Sequence, residues 1–200
     1  MIIGAGTIGL CTLVATRTVQ PNCDITVLAK YDFQAEIAKQ FGATVVIDGK
    51  EILDYIVKKT DAVLYKGYFG NKTLIGGFDI IYDCVGTSKT VHNALIWTKG
   101  RGTVVIIGVD FHQGKLDLNP IWYQEVDLIG SLIHGIEEWE GKSISTYKLV
   151  TNLLEQKKIN PKITEIITHR FPLKDYREAI NIAMNKRKSK AIKVIFDYEL

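Results

Sequence analysis

Gly4-Ala5-Gly6-Thr7-Ile8-Gly9 sets glycines at the spacing G-x-G-x-x-G, behind the apolar stub Met1-Ile2-Ile3 and ahead of a helical stretch. A strand running into a helix through such a turn is built to hold a pyrophosphate. The first glycine allows the tight turn, the second lets a phosphate approach the backbone, and the third lets helix and sheet pack closely. Free N–H groups and the helix dipole then favour the anion at the helix N-terminus, around Thr7 and Ile8. Taken alone, the motif could also be an ordinary tight connection.

The residue ending the second strand, about 20 positions past the motif, decides which dinucleotide fits, because an acid there binds the ribose 2′-hydroxyl of NAD. Here it is Ala29, followed by Lys30 and Tyr31. A small residue and a cation leave room and charge for a 2′-phosphate, so NADP(H) is expected over NAD(H). The competing reading makes Lys30 an ordinary solvated lysine and gives the acid's task to Asp32. Asp32 is better placed as the N-cap of the next helix.

Around these residues, short β-branched runs alternate with helix-length amphipathic stretches, the pattern of a parallel sheet covered on both faces. Strands are expected at Met1–Ile3, Asp24–Ala29, Thr44–Ile47, Phe78–Cys84, Gly102–Ile107 and Val126–Ile133. Helices are expected at Thr7–Gln20, Asp32–Phe41, Lys50–Lys58, Ser88–Lys99 and from about Trp139 to Lys157. In the second helix Phe33, Ile37, Ala38 and Phe41 share one face. Thr60 to Gly77, ending in Asn71, Gly76 and Gly77, reads as a connection. The fold class is α/β, a doubly wound parallel six-stranded Rossmann sheet in the order 3-2-1-4-5-6, with a small C-terminal α+β tail. A dinucleotide-binding domain over residues 1–133 is followed by a helix and tail over 134–200. In the tail, a segment at Ile163–His169, a helix over Asp175–Asn185, a basic loop and a strand at Ala191–Tyr198 are expected.

The chain has 200 residues, 46% hydrophobic and 24% charged, with a net charge of +3, which fits a soluble globular protein with a substantial core. No apolar run approaches the roughly 18 residues of a membrane span, and Met1-Ile2-Ile3-Gly4 lacks a basic leader region, so a cytoplasmic address and no membrane partner are expected. Cys11, Cys23 and Cys84 are scattered, without the spacing of a disulfide framework or a structural zinc. Cys11 and Cys84 read as small buried thiols. His92, His112, His134 and His169 read as structural. The basic run Lys186-Arg187-Lys188-Ser189-Lys190 is local and carries no nucleic-acid motif, so no nucleic-acid partner is expected.

Gly4-Ala5-Gly6-Thr7-Ile8-Gly9-Leu10, Phe41-Gly42-Ala43, Asp83-Cys84-Val85-Gly86, Val105-Ile106-Ile107-Gly108 and Ile167-Thr168-His169-Arg170-Phe171-Pro172-Leu173 follow one another in an order that resembles the zinc-dependent medium-chain alcohol dehydrogenases. The resemblance runs from Met1 to about Asp197. It implies that Gly4, Gly6, Thr7, Ile8 and Gly9 face the pyrophosphate, and that Ala29, Lys30 and Tyr31 sit by the adenosine ribose. By the same resemblance Cys84, Val85 and Gly86 line the cleft, and Ile107, Gly108 and Val109 pack on the nicotinamide. Ser131, Leu132 and Ile133 bind its carboxamide, and Lys193 reaches the phosphates. For Ile107 and Leu132 core packing stays open, and for Lys193 a solvated role.

In such enzymes a GroES-like catalytic domain precedes the Rossmann domain and carries the catalytic zinc, which polarises an alcohol or carbonyl oxygen during hydride transfer. The present sequence starts at the first Rossmann strand, so the zinc ligands are expected outside it, with no catalytic or metal-binding residue within and no turnover by this chain alone. The resemblance also points to a homodimer joined through the sixth strand. The rival class is a non-catalytic dinucleotide-binding or sensor module, for which the tail segments after Pro161 would have no use.

Overall fold

The computed structural model describes residues 1–67, 72–112 and 114–200. Along the chain run β1 (Ile2–Ile3), α1 (Thr7–Val19), β2 (Thr26–Leu28), α2 (Asp32–Gln40), β3 (Val45–Ile47) and α3 (Ile52–Thr60). A hairpin follows, β4 (Val63–Lys66) with β5 (Lys72–Ile75), then β6 (Phe78–Asp83), α4 (Ser88–Trp97), β7 (Thr98–Ile106), α5 (Asn119–Gln124) and β8 (Asp127–Gly130). The remainder comprises β9 (Ile136–Trp139), β10 (Lys142–Ser145), α6 (Thr146–Glu155), β11 (Ile167–Phe171), α7 (Tyr176–Met184), α8 (Lys186–Ser189) and β12 (Lys193–Phe196).

The central sheet has six strands in the order β3-β2-β1-β6-β7-β8, all parallel, as the alternating pattern predicts. The crossover from β3 to β6 puts the order reversal between β1 and β6, so their carboxyl ends diverge and open a crevice. Period-2 alternation fills both faces. Ile2, Val27 and Tyr82 pack on one side with Leu10, Leu13, Phe41 and Ile192. Ile3, Leu28 and Ile81 pack on the other with Ile56, Leu74, Leu95 and Trp97. Leu10 and Leu13 are fully buried, which fixes α1 and hence the glycine turn at its start.

Several expectations are corrected. The segment before β6 is an antiparallel hairpin whose Leu74 is buried in the core. Asn71, read as part of that connection, lies outside the described residues. The helix expected from Trp139 starts only at Thr146, and residues 136–145 form an antiparallel hairpin instead. Glu140 and Gly141 both have positive φ, 50° and 75°, the backbone of a two-residue hairpin turn. Ser145 then caps α6 by accepting from the Lys148 N–H. The sixth strand ends at Gly130, leaving Ser131, Leu132 and Ile133 in an exposed loop. Asn119–Gln124 is an unexpected short helix that begins with Pro120 near its N-terminus.

In the tail, a tight 3-10 segment at Pro161–Ile166 precedes β11, which pairs in parallel with β12. Part of the expected basic loop is the short α8. Ile159, Ile163, Ile166 and Ile192 pack on the same core as α1 and α2. The tail therefore returns to the sheet's α1 side.

Candidate dinucleotide cleft

At the turn between β1 and α1, Gly4 has φ +93°, a conformation that L side chains rarely adopt, and its N–H donates to the Leu28 carbonyl at 3.0 Å. A Cβ on Gly9 would lie 1.8 Å from the Gly4 carbonyl oxygen, so the third glycine is demanded by the turn itself. Gly6 differs. A Cβ there would meet nothing within 4 Å. Nothing among the described residues requires glycine at that position, and Gly6 lines the adjoining cleft. No side chain caps α1, because Gly6 has none and the Thr7 hydroxyl donates to the Ile192 carbonyl at 3.0 Å. The first N–H groups of α1 are thus left for an external anion.

The cleft encloses about 930 Å³ and is lined by Gly4, Gly6, Ala29, Lys30, Tyr31, Cys84 and Val85, among others. The structure therefore gathers the turn, the end of β2 and the end of β6 around one space. Ala29 is buried, its N–H held by the Ile47 carbonyl, while Lys30 is exposed. Tyr31 stacks on Phe33 with ring centroids 5.5 Å apart, and the Lys30 amine lies 5.5 Å from the Tyr31 ring centre. The cap position of α2 is Tyr31, not Asp32, and it makes no side-chain capping bond. Asp32 is the first helical residue, so its expected capping role is withdrawn.

Asp83, at the end of β6, is the positioning residue that the sequence reading passed over. It is fully buried. Its Oδ1 accepts from the N–H groups of Val85 at 2.9 Å and Gly86 at 3.1 Å, while its backbone carbonyl accepts from Ile107 and Gly108 at 2.9 Å each. Its Oδ2 has no hydrogen-bond partner among the described residues. One residue thus ties the loop after β6 to the loop after β7. The signal was present in Asp83-Cys84-Val85-Gly86, since an aspartate that bonds backbone N–H groups just ahead makes an Asx turn. The two loops lie backbone against backbone: a Cβ on Gly86 would sit 2.4 Å from the Gly108 carbonyl, and one on Gly108 would sit 2.2 Å from the Val85 carbonyl carbon. Packing alone accounts for both glycines.

Cys84 follows β6 and is half-buried, its thiol donating to the Thr12 hydroxyl at 3.4 Å. Burial pushes that thiol up to about 11 against an ordinary 9.0, and the Thr12 bond only partly offsets it. Cys11 is exposed, which corrects its reading as a buried thiol. Partial desolvation of the sulfur atom still raises its pKa, and the nearby Lys193 charge opposes the rise. Lys193 follows Ile192, whose carbonyl takes the Thr7 hydroxyl, so the lysine stands beside the start of α1. Among the described residues no group of three or more His, Cys, Asp or Glu side chains converges as a metal site.

The residues assigned to the nicotinamide end lie outside the enclosed cleft. Val109, Leu132 and Ile133 are 69%, 84% and 83% exposed on the loops beyond β7 and β8, and Ile107 is half-buried. The Ser131 N–H donates to the Ile106 carbonyl at 2.9 Å, which holds that second loop to the sheet.

A family model of zinc-binding dehydrogenases matches residues 7–148. The chain belongs to that family. An L-idonate 5-dehydrogenase from Vitis vinifera is 32% identical over 203 residues, covering 98% of this chain and 49% of the relative. Solved structures give the same fold. An alcohol dehydrogenase from Escherichia coli CFT073, complexed with NADH, superposes with a TM-score of 0.72 at 19% identity, over 96% of this chain and 50% of that one. A zinc-binding dehydrogenase from Sinorhizobium meliloti 1021, bound to NADP, superposes with a TM-score of 0.69 at 22% identity, over 98% and 51%. The chain spans about half the length of the curated relatives it matches.

Proposed function

We propose that this chain is the NADP(H)-binding part of a zinc-type alcohol or polyol dehydrogenase. The observation that carries the reading is the open position at Gly6 beside an uncapped α1, facing a cleft that ends at Ala29 and Lys30 with no acid on β2. When bound, the nicotinamide supplies or accepts a hydride at its C4 atom. The chain's own task is to bind and orient. Gly4, Gly6 and the first N–H groups of α1 would hold the pyrophosphate, with Lys193 adding charge. Ala29, Lys30 and Tyr31 would receive the adenosine ribose and its 2′-phosphate, and Cys84, Val85 and Gly86 would line the middle of the cleft. Ile107, Gly108 and Val109, with Ser131, Leu132 and Ile133, would meet the nicotinamide at the carboxyl ends of β7 and β8, where open α/β sheets take their ligands. The L-idonate 5-dehydrogenase relative supports a polyol-like substrate for the whole enzyme, and of the two solved neighbours one holds NADP and the other NADH. The protein would act as a homodimer joined along β8.

Titration with NADP⁺ and NAD⁺ tests the cofactor reading. Tighter NADP⁺ binding is expected, and Ala29→Asp should reverse the order by repelling the 2′-phosphate. Tighter NAD⁺ binding by the unmodified chain would overturn it.

A further inference from the structure

We infer that the basic segment of the C-terminal tail supplies part of the 2′-phosphate site, through Arg187 and Lys190. The inference rests on NADP(H) binding in the cleft as proposed above. On the sequence these residues are more than 150 positions from Lys30. In the fold they meet it: a second cavity of about 670 Å³ is lined by Lys30, Tyr31, Asp32, Glu36, Arg187 and Lys190, together with Phe33. It adjoins the dinucleotide cleft through the shared residues Lys30 and Tyr31, and Lys186 of the same segment reaches the cleft itself.

The charges suit a small dianion. Lys30, Arg187 and Lys190 outnumber the carboxylates of Asp32 and Glu36. None of these residues takes part in an ion pair among the described residues, so the cations are not spent on the acids. The cavity also lies at the start of α2, whose cap makes no side-chain bond, so the positive end of that helix adds to the cations. Arg187 offers a planar fork suited to two phosphate oxygens, and Lys190 a point charge. The backbone holds the segment in place. The Lys190 N–H donates to the Lys186 carbonyl at 2.9 Å, and the Ser189 hydroxyl donates to the Ile182 carbonyl at 2.8 Å, anchoring it to α7. Lys190 itself has φ +58°, which turns the chain out of α8 toward β12. Preference for the phosphorylated dinucleotide would therefore be shared between β2 and a tail on the far side of the sequence.

The adenosine end can be probed alone, with 2′,5′-ADP and 5′-AMP titrated calorimetrically into the 200-residue chain. The unmodified chain should bind 2′,5′-ADP at least about tenfold more tightly, the value of one charge-assisted contact. In a variant carrying Arg187→Gln and Lys190→Asn, that preference should fall about tenfold or more while 5′-AMP affinity stays within about twofold. Asn is chosen at 190 because it tolerates the left-handed backbone. Removing equal charge elsewhere, with Lys158→Gln and Lys162→Gln, should change neither affinity. If the double variant keeps the full preference, or loses both ligands equally, the tail's role is overturned while the NADP(H) reading stands. If the unmodified chain shows no preference for 2′,5′-ADP, the NADP(H) reading fails and the inference with it.

Discussion

The glycines of the phosphate turn look equivalent in sequence, yet they answer to different forces. At Gly9 the turn itself excludes any larger residue, whereas a Cβ on Gly6 would meet none of the described residues, so glycine there would be needed only when a ligand arrives. Gly9→Ala should therefore lower the urea midpoint sharply, since a Cβ 1.8 Å from a carbonyl forces the backbone to move. Gly6→Ala should lower the midpoint far less, by no more than the cost of an alanine at the cap of α1, and weaken dinucleotide binding about tenfold or more. Equal loss of stability in both would show that the open position is not a ligand space. Cys84 carries a second residue-scale consequence. Its folded thiol is raised to about 11 from 9.0, so the stability of the neutral buried form is fully present below about pH 9 and is lost as pH rises through about 11. Urea unfolding of the unmodified chain and of Cys84→Ala, from pH 8 to 11, should converge by on the order of 2 kcal/mol. Parallel curves would count against it.

The parallel sheet was readable because its strands are short β-branched runs buried on both faces, and no other arrangement hides them. Ile2 and Ile3 already point into different cores. What escaped the reading were the hairpins at 63–75 and 136–145, whose strands are short and half-exposed, with no long apolar alternation to announce them. The cleft was legible at the glycine turn and the end of β2, where residue type and spacing carry the chemistry. At Asp83 only the local Asx turn was legible, and not the carbonyl bonds to Ile107 and Gly108; at Arg187 nothing was legible, because its cavity joins segments distant in sequence. The edge of the sheet carries its own expectation. Among the described residues β8 pairs only with β7, which leaves its outer N–H and C=O groups open, and Ile129, Leu132, Ile133 and Ile136 are all more than half exposed nearby. An unpartnered apolar edge is a pairing hazard that a two-fold copy removes. Sedimentation velocity at tens of micromolar should show a species of about twice 22.4 kDa, and Ile133→Lys should shift it toward monomer. A monomer at the highest soluble concentration would refute the edge-pairing proposal.

At the scale of the whole molecule, binding and catalysis separate. In the proposed reading the chain would supply a pyrophosphate turn, an adenosine end and apolar loops at the carboxyl ends of β7 and β8 that orient a nicotinamide. Hydride transfer to or from an alcohol demands more: the substrate carbon within about 3.5 Å of the nicotinamide and its oxygen polarised by a Lewis acid or proton donor. Three side-chain ligands are the usual minimum for a catalytic zinc, and among the described residues no such group converges. His92, His112, His134 and His169 are spread over α4, the loop after β7, the loop after β8 and β11, and among the described residues no pair of them comes together with a cysteine. Val109, Leu132 and Ile133, the residues proposed to meet the nicotinamide, stand exposed. The 200-residue chain should therefore bind NADP(H), seen as quenching of its tryptophan fluorescence or as heat on titration, and should not oxidise alcohols or reduce aldehydes. Absorbance at 340 nm with NADP(H), a panel of alcohols and polyols, and added zinc gives the measurement. Sustained turnover abolished by Cys84→Ala or His134→Ala would place a catalytic centre within this half and defeat the separation.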